Sequence, residues 1–236
     1  MSIQLALDGV SCSFDGFKAI NDLSITVDKG ELRAVIGPNG AGKTTMMDII
    51  TGKTRPDEGR VLWNQNVDLT ELDEAGTARL GIGRKFQKPT VFETQNVEDN
   101  IALALAGERS VWATLFHRRN AAEAARISEI LELVRLVEQR ADQAGDLSHG
   151  QKQWREIGML LAQDPELLLV DEPAAGMTDA ETMRTAELLR EIAGQHTVVV
   201  VEHDMEFVRA LDCRVTVLHQ GHVLAEGSLV HVSANP

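Results

Sequence analysis

The chain of 236 residues is long enough to form one large domain or two small ones. Hydrophobic residues make up 43% and charged residues 25%, which is ordinary for a globular protein. The net charge of −13 argues against a nucleic-acid partner, because proteins that grip the phosphate backbone usually present a basic face.

The cysteine content and the length of the apolar runs indicate the cellular compartment of the protein. The chain has two cysteines, Cys12 and Cys213, and they lack the spacing of metal ligands. A chain of this length needs no disulfide scaffold, so the low cysteine count favours a reducing compartment. The N-terminal residues lack the basic and apolar regions of a secretory signal. The longest apolar runs, such as 167–170 and 198–201, fall far short of the ~20 residues of a membrane span. We expect a protein on the cytoplasmic side that can still work at a membrane as a partner.

The first third of the chain predicts strands followed by one helix. Apolar and polar residues alternate over the first thirty residues, with turn residues at 15–16 and 28–30. A short apolar strand over Leu32–Ile36 leads into a glycine-rich turn and then a helix from about Lys43 to Thr51. This order is typical of a strand–loop–helix unit.

The rest of the chain predicts helices and two buried strands. Residues 96–163 read mainly as helix. Apolar strands at 167–170 and 197–201 flank a helical segment that begins with a capping box, Thr178 and Glu181, and ends before Gly194. Buried strands joined by a helix indicate a parallel sheet covered by helices. We expect one domain over 1–236, with 1–87 and 164–236 as the core and 88–163 as a helical insertion.

The strongest motif is a phosphate-binding loop. Eight consecutive residues match G-x-x-x-x-G-K-[ST] between a strand and a helix: Gly37, Pro38, Asn39, Gly40, Ala41, Gly42, Lys43 and Thr44. Successive backbone N–H groups can curl round an anion there, and the helix N-terminus adds a favourable dipole. Lys43 would reach the β- and γ-phosphates, the Thr44 hydroxyl would bind Mg²⁺, and Thr45 completes the predicted nucleotide site. The alternative is a plain glycine turn with an exposed Lys43.

The second half of the site is predicted at the acidic pair that ends the strand over 167–170. Asp171 would bind Mg²⁺, and Glu172 would accept a proton from the attacking water. Strands often end in acidic turn residues, so the pair is ambiguous by itself. Together with the phosphate loop it indicates nucleotide hydrolysis.

Four further segments resemble motifs of the ABC-type ATPases, in that family's order and over essentially the whole chain. They are Leu147-Ser148-His149-Gly150-Gln151 as the signature, Gln87 as the glutamine of the glutamine loop, His203 as the switch histidine and Phe14 as the adenine-stacking aromatic. The resemblance implies an α/β P-loop NTPase core with a parallel sheet, an N-terminal antiparallel β subdomain and an inserted helical subdomain. It also implies ATP and Mg²⁺ as cofactors, with Gln87 as a further Mg²⁺ ligand and catalytic residue alongside Glu172 and His203.

The signature predicts a second anion site. Ser148 and Gln151 form a capping box, so a helix begins there, and Gly150 permits close approach of an anion to the backbone. No second lysine-bearing loop accompanies it. In the ABC family two subunits pair head to tail, so Ser148, Gly150 and Gln151 would contact the nucleotide of a second ATPase subunit, in a homo- or heterodimer.

The chain departs from the family pattern at His149, at Thr178 and at its C-terminal end. His149 stands where the signature usually has glycine, and Thr178 stands where many relatives carry aspartate. Phe14 replaces the usual tyrosine and has Phe17 as a near neighbour. The resemblance implies that relatives continue past the position of Pro236, so we expect a truncated chain or a disordered tail.

The segments 51–57 and 174–178 resemble the branched-chain amino acid importer group, and 147–154 resembles its urea-importer branch. The resemblance implies an ATPase peripheral to the cytoplasmic face of the inner (plasma) membrane, importing urea or a related small amide or amino acid. Permease subunits would be its partners and a solute-binding protein an indirect one. The segment 91–116, rich in large apolar residues, would either contact the permease or pack the helical lobe.

Two other functions remain open at this point. One is a soluble ABC-type ATPase that acts on nucleic acid or the ribosome, although the charge and the single cassette disfavour it. The other is a P-loop kinase or GTPase without a dimeric signature, although the N-K-x-D motif typical of guanine readers is absent.

Overall fold

The computed structural model describes residues 2–85, 92–105 and 120–234. The strands within these ranges are β1 (Ile3–Phe14), β2 (Phe17–Asp28), β3 (Leu32–Ile36), β4 (Glu58–Trp63), β5 (Val67–Asp68), β6 (Ile82–Lys85), β7 (Leu167–Asp171), β8 (Thr197–Val201), β9 (Arg214–His219) and β10 (His222–Ser228). The helices are α1 (Lys43–Ile50), α2 (Glu74–Arg79), α3 (Val97–Ala104), α4 (Ala121–Leu133), α5 (His149–Leu161), α6 (Asp179–Ile192), α7 (Met205–Leu211) and α8 (Leu229–Ser233).

The central sheet has the strand order β10-β9-β3-β8-β7-β6. Every neighbouring pair from β9 to β6 is parallel, and β10 adds an antiparallel edge strand. All five residues of β7 and all five of β8 are buried. Both faces of these strands are covered, because Leu168 packs into one apolar cluster and Leu167 and Leu169 pack into the other. This explains why their sequences are continuously apolar.

A second, antiparallel sheet with the order β2-β1-β4-β5 covers one face of the first helix. The predicted turn at Asp15-Gly16 joins β1 to β2, and both turn residues have positive φ (47° and 84°). Apolar residues of this sheet, of α1 and of the central sheet share one cluster. Helix α1 is therefore held between the two sheets, which fixes the loop that precedes it.

Helices α3, α4 and α5 pack on the opposite side, in the cluster that also contains Leu168 and Val170. The prediction that 96–163 is mainly helical is correct for these three helices and wrong for 134–148, which forms turns. Buried residues of that segment, such as Val134, Leu136 and Leu147, belong to the same cluster. Their apolar character reflects packing of a turn segment on the helices, which periodicity alone does not separate from helix.

No helix in the part of the chain that the structure describes is both long enough and apolar enough to cross a bilayer.

Candidate active site

Three parallel strands end level with one another at one edge of the central sheet. Val35 of β3 lies opposite Val201 of β8, and Val201 lies opposite Asp171 of β7. The segments that follow these strands therefore start side by side. They begin with the phosphate loop, Glu202 and Glu172, so the edge brings the predicted phosphate loop and Glu172 together with Glu202, which was not predicted.

The phosphate loop runs from the end of β3 to the start of α1, as predicted. Gly37 (φ 154°) and Gly42 (φ 99°) both have conformations that favour glycine. A Cβ at Gly37 would lie 2.2 Å from the carbonyl oxygen of Leu218, and one at Gly42 would lie 2.6 Å from that of Ala19. The loop can thus pass between β9 and β2 only with glycine at these two places. Pro38, Asn39 and Gly40 form its exposed apex, and Ala41 is buried.

Lys43, the first residue of α1, points back across the loop. Its Nζ donates to the carbonyl oxygens of Gly37 (2.7 Å) and Pro38 (3.0 Å), and the residue is only 8% exposed. Burial lowers the pKa of Lys43, while Glu172, Asp171 and Glu202 act in the opposite direction. The ammonium group therefore lies in the field of the acidic residues at the same edge. Thr44 is exposed and Thr45 is half-buried beside it.

Asp171 ends β7 as a buried carboxylate that faces Arg84. The Arg84 guanidinium lies 3.4 Å from Asp171 and also pairs with Asp48 of α1. Burial raises the pKa of Asp171, and Arg84 opposes that rise. Arg84 thus ties β7 to α1, the helix that carries Lys43. Arg84 was not predicted from the sequence, because a single arginine on a short strand has no local signature.

Glu172 and His203 meet directly. Nδ1 of His203 lies 3.4 Å from Oε1 of Glu172, and both side chains reach solvent. The Glu172 backbone is left-handed (φ 46°), and its N–H donates to the carbonyl oxygen of Val201 at 2.9 Å. The sequence predicted both residues as catalytic without any indication of their contact. Their pairing places an imidazole beside the carboxylate that would take a proton from water.

Glu202 holds the segments after β7 and β8 together and was not predicted. It is 1% exposed, and its carboxylate accepts the backbone N–H groups of Ala174 (3.0 Å), His203 (2.9 Å) and Asp204 (3.3 Å). A buried carboxylate needs such donors to offset its lost hydration. The acidic residue after a buried strand, the pattern that identified Asp171, was the available signal.

The predicted signature helix is α5, with Ser148 as its N-cap. Ser148 and Gln151 form the predicted capping box, with Ser148 N–H donating to Gln151 Oε1 at 2.9 Å. The Ser148 hydroxyl donates to Oε1 of Glu181 at 3.0 Å. Among the described residues, the Ser148 hydroxyl bonds to the Glu181 carboxylate and to the Gln151 backbone N–H rather than to the phosphate loop. In the described part of one chain, no hydrogen bond joins the two predicted anion sites.

His149 and Thr178, two of the residues that differ from the family pattern, both make local contacts. Nε2 of His149 donates to the carbonyl oxygen of Ala175 at 2.8 Å, so the signature helix touches the segment that follows Glu172. Thr178 is the N-cap of α6, and the predicted capping box with Glu181 is present. Thr178 therefore keeps the capping role that the sequence analysis expected.

The remaining predicted residues lie either on the exposed β1–β2 turn or outside the described ranges. Phe14 and Phe17 lie opposite each other across the β1–β2 turn and are 46% and 64% exposed. Gln87 and, within the predicted docking segment 91–116, residues 91 and 106–116 lie outside the described residues. In that segment Phe92 is 59% exposed, on the N-terminal side of α3.

Comparison with known proteins agrees with this geometry. Residues 20–175 match the family model described as ABC transporter. The chain is 34% identical over 241 residues to the high-affinity branched-chain amino acid transport ATP-binding protein LivG of Salmonella typhimurium, covering 98% of this chain and 94% of that protein.

Solved structures give the same result. A nucleotide-free ATP-binding cassette from an ABC transporter superimposes with a TM-score of 0.85 at 30% identity, covering 99% of this chain and 96% of the other. A dimeric cassette bound to ADP and Pi in a post-hydrolysis state gives a TM-score of 0.76 at 26% identity, with coverage of 95% and 98%. These matches confirm the family and the fold class predicted from the sequence. The chain belongs to the ABC transporter family and is one of its ATPase cassettes.

Proposed function

We propose that this chain hydrolyses ATP at the edge formed by the phosphate loop, Asp171, Glu172 and His203, and that it thereby energises a membrane importer. The observation that carries the proposal is the register of β3, β8 and β7. It brings the Lys43 ammonium group into the field of Glu172 and Asp171, and Glu172 into contact with His203.

In this proposal residues 37–45 bind the triphosphate, and Lys43 exchanges its bonds to the loop carbonyls for bonds to phosphate. Glu172 accepts the proton of the attacking water, and His203 holds the Glu172 carboxylate and the departing phosphate in place. Gln87 would contribute from the segment after β6. Phe14, on the exposed β1–β2 turn, would stack on adenine.

The residues present suit Mg²⁺. Within the described ranges no group of three or more acidic, His or Cys side chains could hold a metal by itself. Mg²⁺ usually takes one or two protein oxygens and completes its shell with phosphate and water. The exposed Thr44 hydroxyl and the Asp171 carboxylate are such oxygens, with Gln87 as the third proposed ligand. When bound, Mg²⁺ would neutralise charge on the transferred phosphoryl group.

The working unit in this proposal is a dimer in which each α5 start, with Ser148, Gly150 and Gln151, meets the other subunit's γ-phosphate. The similarity to a dimeric cassette bound to ADP and Pi supports it. With a charge of −13 on each chain, the subunit should be monomeric until nucleotide joins the two faces. Whether the second subunit is identical or a homologue does not change this geometry.

The cargo in this proposal is a small amide or amino acid, with urea as the specific candidate. Similarity to LivG supports amino acid transport, and the segment 147–154 supports the urea-importer branch. The ATPase would lie against permease subunits at the cytoplasmic face of the inner membrane, with 88–163 as the helical subdomain between them and the core. A role on nucleic acid or the ribosome is disfavoured by the net charge of −13.

Trapping the dimer tests the site. Glu172→Gln keeps size and hydrogen bonding but cannot accept a proton, so hydrolysis should fall by about a hundredfold or more. The variant should then dimerise with Mg-ATP on size-exclusion chromatography. Adding Ser148→Arg should abolish that dimer while leaving binding of a fluorescent ATP analogue intact. The composite site is refuted if the double variant dimerises as readily as Glu172→Gln alone.

An uptake measurement tests the cargo. Cells lacking this gene, complemented with the wild-type chain or with Lys43→Ala, are given labelled urea or labelled leucine. If the wild-type chain restores urea uptake and Lys43→Ala does not, the cargo is urea. If the wild-type chain restores leucine uptake but not urea uptake, the importer is assigned to amino acids. Restoration of neither solute would refute this cargo class.

A further inference from the structure

The anion site at the start of α5 already has an anion in it, and this anion belongs to the same chain. The hydroxyl of Ser148 donates to the carboxylate of Glu181 at 3.0 Å, and the neighbouring Gly150 backbone N–H helps to lower the pKa of Glu181. A Cβ built on Gly150 would lie 2.6 Å from Glu181 Oε1. The Glu181 carboxylate therefore lies directly against Gly150, next to the Ser148 hydroxyl.

The same carboxylate is held from its other side by α6. Oε2 of Glu181 accepts the Thr178 backbone N–H at 3.1 Å and the Thr178 hydroxyl at 2.9 Å. These bonds lower the pKa of Glu181, and the bond from the Thr178 backbone N–H makes the largest contribution. Glu181 is thus ionised at neutral pH and bridges the first turns of α5 and α6, which lie 33 residues apart in the chain.

We propose that Glu181 acts as an internal competitor for the γ-phosphate of the second subunit's nucleotide, and that its carboxylate must leave Ser148 and Gly150 before the dimer can close. This inference rests on the proposed function, which assigns those two residues to the nucleotide. Two anions cannot share the same donors, and like charges brought together in a closing interface oppose association.

The local structure allows the carboxylate to leave. Ser148 is exposed and Glu181 is only half-buried. The capping bonds between Glu181 and Thr178 do not depend on Ser148. The first turn of α6 therefore stays capped when the Glu181 carboxylate moves off the Ser148 hydroxyl. Closure would therefore break the Ser148–Glu181 bond and leave the Thr178–Glu181 bonds in place. Dimerisation would occur only when nucleotide supplies a better anion than the carboxylate.

The test uses the full chain in the Glu172→Gln background and measures the ATP concentration that gives half-maximal dimer. Glu181→Gln keeps the capping box, because glutamine serves at this position as well as glutamate, but removes the charge. We expect the half-maximal concentration to fall by about tenfold, since a like-charge contact is removed at each interface site. The dependence on salt should weaken as well.

Glu187→Gln is the matched control. It removes the same charge from the same helix, but Glu187 pairs with Arg135 at 3.0 Å, away from α5. This variant should leave the half-maximal ATP concentration within about twofold, the scale of a screened surface charge. Glu181→Asp is the second variant: it keeps the charge but withdraws it from Ser148, and should tighten the dimer by a smaller factor. Thermal unfolding of each variant checks that α6 stays folded.

The outcomes separate the two proposals. If Glu172→Gln forms no ATP-dependent dimer, or if Ser148→Arg does not disrupt it, the composite site itself fails and Glu181 has nothing to compete with. If both behave as proposed but Glu181→Gln leaves the dimer unchanged or weakens it, the composite site stands. The competitor role of Glu181 is then overturned, and its carboxylate is an orienting partner of Ser148 instead.

Discussion

Oε1 of Glu172 and Nδ1 of His203 lie 3.4 Å apart, although 31 residues separate them in the chain and they follow different strands. The contact exists because β7 and β8 are adjacent, parallel and in register. A proton acceptor and an imidazole are thereby placed together at the edge where Lys43 also lies. Each member of this group can be tested separately.

His203→Ala should reduce ATP turnover by about a hundredfold, because positioned groups that assist proton transfer contribute on that scale. Binding of a fluorescent ATP analogue should change little, since His203 lies outside the phosphate loop. His231→Ala removes an exposed histidine on α8 and serves as the control. Normal turnover in His203→Ala would contradict the assignment.

Lys43→Ala should nearly abolish hydrolysis and also weaken ATP binding, because the phosphates lose their main cationic partner. Turnover and nucleotide affinity are measured side by side. Lys29→Ala is the charge-matched control, since the Lys29 side chain is exposed and forms a long surface pair with Glu166 at 3.8 Å. Near-wild-type turnover in Lys43→Ala would mean that another loop performs the chemistry.

Glu202→Gln should lower the free energy of unfolding by about 1–3 kcal/mol, the cost of leaving a buried polar group unsatisfied. Glutamine offers one oxygen where the carboxylate uses two to accept three N–H groups. Urea denaturation of the variant and of Glu206→Gln, an exposed change on α7, measures the difference. Equal stability of the two variants would exclude the bracing role of Glu202.

Cys213 should react slowly with thiol reagents in the folded protein. Burial raises the pKa of Cys213 to about 11. The thiolate is the reactive form, so at pH 8 only about one thiol in a thousand is available. Because the pKa is raised, reactivity should increase as the pH rises towards 11 and on unfolding at pH 8. Fast modification of native Cys213 in a Cys12→Ser variant at pH 8 would contradict this.

Much of the candidate site could be predicted from the sequence, because its signals are local. The phosphate loop needs glycine at fixed positions between a strand and a helix, and the strand over 167–171 is apolar throughout because both of its faces are buried. The helix starts at Ser148 and Thr178 were equally readable, since a capping box lies within four residues. For these features the physical cause and the residues that reveal it are close together in the chain.

The remaining contacts depended on which strands and helices become neighbours. Strands β6, β9 and β10 were not predicted from the sequence, and the bond from Arg84 to Asp171 exists only because β6 lies beside β7. The capping box identified Glu181 but not its bond to Ser148, since α5 and α6 start together only in the folded chain. Local sequence therefore determined the phosphate loop and the helix starts. Sheet order and helix packing, which rest on long-range burial, decided which charged groups face one another.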